Sequence, residues 1–203
     1  MENKKSFEQF NFEIGLADEK DLASIARLQQ ENLVSNISEK EKQEQGFVSV
    51  ETSEKLLKEI IEQEGITVAR IGEKVIGYLI PMSVEHTQQQ VSSLDPFLER
   101  LKTLQFESKP LNEYSCCVLT QVCIEKNYRG KGILEKLYQE LKTRLADKYD
   151  LGVSEIASNN PRSLHAHLNK IGLKIAEQYS AEGKDWYIVV LDFRPYQKKP
   201  ITE

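Results

Sequence analysis

A chain of 203 residues, 39% apolar and 29% charged, has the composition of a soluble globular protein and the length for one complete core. Its net charge of -5 and sequence pI near 5.4 argue against a dedicated nucleic-acid binder, because neutralising phosphates takes a basic surface. The polar opening ENKKSFEQFNFE has no apolar leader-like run, and no window approaches the roughly 18 apolar residues of a membrane span, so a cytoplasmic protein with no membrane partner is expected.

In chain order, FEIGLA (12–17) reads as a short strand, and Asp18 or Asp21 can cap a helix with Leu22, Ile25, Leu28 and Leu33 on adjoining turns. The polar run SNISEKEKQEQGFVSVETS predicts a mobile surface connection, followed by a helix SEKLLKEIIEQE with an apolar stripe at Leu56, Leu57, Ile60 and Ile61. ITVARI and KVIGYLIPMS are strand-like and joined by Gly72 and Glu73, a hairpin signature. The polar HTQQQVSS leads into DPFLERLKTLQ, whose Asp95 and Pro96 suit a helix start, and the stretch 86–112 reads as a helical excursion.

CCVLTQVCIE is the strongest strand signal, and ILEKLYQELKTRL repeats apolar residues as a buried helix does. VSEIA predicts a further strand, NNPRSLHAHLNKIG a short helix from Pro161 to Gly172, and LKIAEQY with DWYIVVLDF a closing pair. The order predicts an α/β protein with a mixed sheet and one domain over residues 1–203, its core at about 12–193. Cys116, Cys117 and Cys123 read as reduced core thiols, since adjacent strand residues face opposite ways and no metal-ligand spacing surrounds them. No metal site is expected.

The turn YRGKG, between strand and helix, is the chemical signal. It lacks the GxxxxGK[ST] spacing of a nucleoside-triphosphate loop, and Glu135 occupies the third glycine position of the dinucleotide fingerprint. What stays is a helix N-terminus with two glycines, where free N–H groups and the helix dipole favour an anion such as a pyrophosphate. A plain strand-to-helix turn with solvated Arg129 and Lys131 is the competing reading.

VCIEKNYRGKGI, followed by SNNPRSLHAHLNKIGL, resembles motifs A and B of the GNAT superfamily of acetyl-CoA-dependent N-acyltransferases, in the family's order and spacing. Asn127 stands where the motif A consensus has Gln or Arg. The resemblance covers about residues 12–193 and implies a splayed central mixed sheet flanked by helices. It also implies acetyl-CoA as co-substrate, with Val122, Cys123 and Ile124 beside the pantetheine arm and the amides of Arg129, Gly130, Lys131, Gly132, Ile133 and Leu134 on the pyrophosphate. Asn160 would belong to the same cofactor site, and Lys126 or Lys131 would meet the 3′-phosphate. The implied reaction is direct transfer of acetyl to a primary amine of a small molecule or peptide, with a main-chain N–H near Val122 as oxyanion donor.

The family's usual acid is a Tyr in the motif B helix, and this helix has none. Counting forward from Asn160 puts His167 at that position; counting back from Gly172 puts Leu168 there, which implies one inserted residue. A histidine can donate a proton near neutrality and a leucine cannot, so His167 is the expected acid. Glu113, Tyr114, Gln121 and Glu155 are considered for the base, and Glu155, in the following strand, is the expectation carried forward. Trp186 and Tyr187 read as core packing. A non-catalytic acyl-CoA-binding module is the alternative function, and a homodimer paired through the last strands is a further reading.

Overall fold

The computed structural model describes residues 10–181 and 183–197. Strand β1 (Glu13–Leu16) leads through a turn into helix α1 (Leu22–Asn32). The Asp18 side chain accepts from the Lys20 N–H at 2.8 Å, and Asp21 accepts from the Asp18 N–H at 2.8 Å, a reciprocal cap of the helix entry. Asp21 is buried and also receives Arg70 Nε at 2.9 Å, while Arg70 reaches the Leu16 carbonyl at 2.8 Å. One ion pair therefore fixes the start of α1 to the strands beneath it.

The polar segment after α1 contains helix α2 (Glu39–Gln45), closed at its start by Ser38 and Glu41 in a second capping box. The expected surface connection therefore carries a helix of its own. Helix α3 (Glu54–Gln63), capped by Ser53, precedes the hairpin of β2 (Thr67–Ile71) and β3 (Lys74–Ser83), whose turn uses Gly72 at φ 57°. HTQQQ, within the expected helical excursion, forms part of helix α4 (Val84–Gln90), because Ser83 caps it and His86 and Thr87 are buried. Helix α5 (Asp95–Leu101) has Pro96 in its first turn, and β4 (Gln105–Phe106) with β5 (Lys109–Pro110) forms a small separate hairpin.

The remaining elements are β6 (Cys116–Ile124), α6 (Ile133–Leu145), β7 (Leu151–Ala157), α7 (Pro161–Ala166), β8 (Lys174–Ala181) and β9 (Lys184–Asp192). The main sheet has the order β1-β2-β3-β6-β7-β9-β8, with β6 and β7 its parallel pair. Apolar side chains of alternate strand residues fill two cores. One, under α1, α3 and α5, holds Ile25, Leu57, Tyr78, Phe97 and Ile188; the other, under α6, holds Leu79, Leu137, Leu141, Val189 and Phe193. Among the described residues the three cysteines are free thiols, and no helix is long and apolar enough to cross a membrane.

Candidate active site in the split of the sheet

The pairing of β6 with β7 covers three positions, Cys116↔Leu151, Cys117↔Gly152 and Val118↔Val153, and then the strands part. A bulge starts the separation: Ile80 faces Gln121 and Pro81 faces Leu119, leaving Thr120 as the extra residue of β6. At the apex, Ser154 Oγ donates to the Leu119 carbonyl at 2.8 Å. A Cβ on Gly152 would lie 3.1 Å from Leu119 Cδ1 and 3.2 Å from the Phe193 ring, so glycine here leaves room for those two side chains to pack against the apex.

Beyond the apex, the Glu125 N–H bonds to the Ile76 carbonyl at 2.8 Å, which sets the alternation of the β6 ladder. Cys123 consequently turns its main-chain groups toward Tyr78 of β3, whereas Val122 and Ile124 turn theirs toward the gap. The expected three-residue pairing edge narrows to those two. The Cys123 side chain lies under α1, with Sγ 3.8 Å from the Leu28 carbonyl, and burial pushes its thiol up to about 12. The Ile124 carbonyl already accepts from Arg129 Nε at 2.9 Å, so that residue presents only its N–H.

The gap opens onto the N-terminus of α6. Gly130 and Gly132 take φ of 75° and 81°, left-handed values that favour glycine, and a Cβ on either would meet nothing within 4 Å. The result is an open nest of main-chain N–H groups from Gly130 to Leu134 at the positive end of a 13-residue helix, while the Arg129 N–H, expected among them, donates to the Lys126 carbonyl at 3.4 Å. The side chains of the two cations here are otherwise engaged. Arg129 points inward, donating to the Gln45 carbonyl at 2.7 Å and to Asn32 Oδ1 at 2.6 Å, and its burial lowers its pKa. Lys131 Nζ sits 4.3 Å from the Phe10 ring centre. Lys126, the other cation expected at the 3′-phosphate, is paired with Glu41 at 3.1 Å. Arg162 and Lys170 border the cleft instead, which spacing alone did not indicate.

A strap from Gly46 to Thr52 crosses the split. Gln29 holds Thr52 through two bonds of 2.9 Å, and Gln121 Nε2 donates to the Val50 carbonyl and to Thr52 Oγ1. Asn160 Nδ2 donates to the Phe47 carbonyl at 3.1 Å, while its Oδ1 caps α7 at the Ser163 N–H. Asn160 therefore serves the strap and the helix cap, and it lines the cavity beyond the cleft rather than the glycine nest.

The motif B helix changes form partway. Its α-helical turns end at Ala166, and His167–Ile171 form a π turn that stops at Gly172, where φ is 83°. A π turn holds one residue more than an α turn, so it absorbs the insertion that separated the two counts. His167 is the residue facing the cleft, buried at 6% exposure, while Leu168 packs against the core under α6. His167 Nδ1 lies 2.7 Å from the Ser163 carbonyl, which can only accept, so Nδ1 carries the proton and Nε2 the lone pair. Burial lowers the pKa of His167, against a smaller opposing effect of the Ser163 bond, and Tyr138 meets the imidazole edge-on at 5.7 Å.

Two cavities share His167. One, of about 140 Å3, runs along Val122, Ile124, the glycine nest and Arg162. The other, of about 70 Å3, lies at the apex of the split and contains Glu155, Phe47, Phe97 and Trp186. Glu155 receives the Tyr179 hydroxyl, and burial, together with that contact, raises the tyrosine pKa. Trp186 lines this cavity as well as packing, which corrects the reading of it as core alone; strand alternation gives two faces but not which one is covered. Glu113 and Tyr114 lie outside both cavities, and Gln121 is held by the strap. Among the described residues no cluster could hold a metal ion.

A sheet split beside a glycine nest at a helix N-terminus defines an acyltransferase-type α/β fold. The chain belongs to the acetyltransferase (GNAT) family, whose model matches residues 25–173. It is similar to an N-acetyltransferase of Staphylococcus aureus at 19% identity and TM-score 0.61, over 91% of this chain and 100% of that one. YncA of Salmonella typhimurium, solved with its cofactor acetyl-CoA, is 16% identical with TM-score 0.59, over 96% and 99% of the two chains. The ribosomal-protein-S18-alanine N-acetyltransferase of Escherichia coli is 14% identical with TM-score 0.57, over 95% and 99%. Among curated proteins no sequence matches.

Proposed function

We propose that this acetyltransferase moves the acetyl group of acetyl-CoA to the primary amine of a small molecule or peptide. The observation that carries the reading is the meeting of the two cavities at His167, one bordered by the open β6 edge and the anion nest, the other by a carboxylate. Acetyl-CoA fits the first: the nest suits a pyrophosphate, and the unpaired polar groups of Val122 suit an amide-bearing arm. When bound, it supplies a thioester carbonyl open to an amine and a thiolate leaving group.

The chain's residues then divide the proton traffic. Glu155 draws in the alkylammonium and takes its first proton, which a group of pKa near 10.4 must lose before it can attack. The Val122 N–H, on the gap side of β6, stabilises the charge that develops on the carbonyl oxygen. His167 Nε2 takes the second proton as the C–N bond forms and returns it to sulfur as the C–S bond breaks. His167 thus enters as a proton acceptor, a revision of the resting acid expected from sequence, because burial disfavours the imidazolium. The binding-module alternative, favoured if Leu168 held this position, is the second reading.

The test is CoA thiol release over a panel of amines, with the product identified by mass. Amine-dependent release with stoichiometric N-acetyl product is expected. Stabilisation by acetyl-CoA without release for any amine would establish the non-catalytic module instead.

A further inference from the structure

The cavity at the apex of the split has an uneven chemistry. Glu155 is the one charged residue among the described residues that line it, and Phe47, Phe97, Trp186 and Leu94 supply its apolar wall. Several of its donors are already used, and Ser49 and Trp186 add neutral donors but no cation. Thr120 Oγ1 bonds the Ile80 carbonyl at 3.2 Å and Ser154 Oγ the Leu119 carbonyl at 2.8 Å. The amides of Gln121 and Asn160 are given to the strap carbonyls of Val50 and Phe47. Arg100, on the same helix as Phe97, lies outside the lining and is ion-paired with Glu177.

The sheet register puts this chemistry on one side. Glu155 of β7 pairs with Ile188 of β9, which pairs with Glu177 of β8, and Ile188 belongs to the core under α1 and α5. Trp186, two residues from Ile188, shares that face, and so does Tyr179, whose hydroxyl reaches Glu155. The acceptor therefore approaches between α5 and the strap, with His167 across the split on the opposite side.

We infer that the acceptor is a primary amine on an apolar, uncharged neck, with no carboxylate beside the amine and no second ammonium within the cavity. This rests on the amine reading proposed above and narrows it. A single carboxylate satisfies one ammonium; the aromatic wall takes an alkyl or aryl neck. An amino acid would place its carboxylate near Glu155, with like charges close together and no cation to meet it. A polyamine would bring a second charge to an apolar wall.

The experiment compares kcat/KM, by thiol release, for phenethylamine, phenylalanine, Nα-acetyl-lysine methylamide and spermidine. At least about a 100-fold preference for phenethylamine over phenylalanine is expected, the scale of an unpaired like charge in a closed site. The lysine derivative should also exceed phenylalanine and spermidine; its rank against phenethylamine tells a lysine side chain from a free arylalkylamine as the source of the same chemistry. Phenylalanine or spermidine turned over as well as phenethylamine would overturn this inference alone. Absence of release with all four and with a wider amine panel would overturn the amine reading, and this inference with it.

Discussion

His167 shows how one side chain reconciles sequence with chemistry. Its ordinary pKa would leave it partly protonated near neutrality, but burial lowers that pKa, and the Ser163 carbonyl fixes the proton on Nδ1. The acid limb of kcat/KM should lie below the ordinary histidine value of about 6.5. Stability has the matching sign: on acidification the unfolded chain takes up this proton first, so stability is complete above about pH 6.5 and falls as pH drops toward the folded-state pKa. The His167→Gln enzyme should lose about 100-fold or more in kcat and have a flatter stability profile between pH 5 and 7. A pH-rate profile and thermal melts across that range check both; an unchanged kcat would take His167 out of the mechanism. Cys116 and Cys123 have no comparable part, since burial pushes each thiol up to about 12.

At the scale of elements, the glycine nest joins conformation to binding. Gly132 sits at φ 81° with open space where a Cβ would stand, so Gly132→Ala strains the backbone by about 1–2 kcal/mol and places a methyl in the nest. Gly183, in the β8–β9 turn at φ 74° and equally open, is the control with similar strain away from the cleft. Calorimetric titration with acetyl-CoA should show at least about a tenfold loss of affinity for Gly132→Ala and little change for Gly183→Ala. Equal affinities would mean that the nest does not carry the phosphates. This element was legible in the sequence because its signals are local: a β-branched run, two glycines, then a helical apolar period. The β2–β3 hairpin and the helix after Asp18 were legible for the same reason. The strap was not, because its order comes from partners far along the chain, as with Asn160 and Phe47, and its own residues look like any polar connection. The π turn left a one-residue mismatch between two counts, but sequence could not say which side chain it turns inward.

Across the whole molecule, β1, β2, β3 and β6 form one half of the sheet, and β7, β9 and β8 the other. The halves share a ladder of three residue pairs, reinforced by the strap, whose bonds reach from α1 and β6 on one side to Asn160 on the other. Such a join is weaker than the seven pairs of β3 with β6 or of β7 with β9, so the open edges of β6 and β7 belong among the less protected parts of the core. An occupant that pairs with Val122 and settles in the nest would bridge that seam. Acetyl-CoA at 100 times its Kd should stabilise the fold by about 2.7 kcal/mol. Hydrogen exchange separates this from a general effect: the gap-facing amides of Val122 and Ile124 and those of the nest should slow more than the global stabilisation requires, while the outer strand β8 gains only the global share. Equal protection across β6 and β8, or a thermal shift without slower exchange at Val122, would show that binding occurs elsewhere than in the split of the sheet.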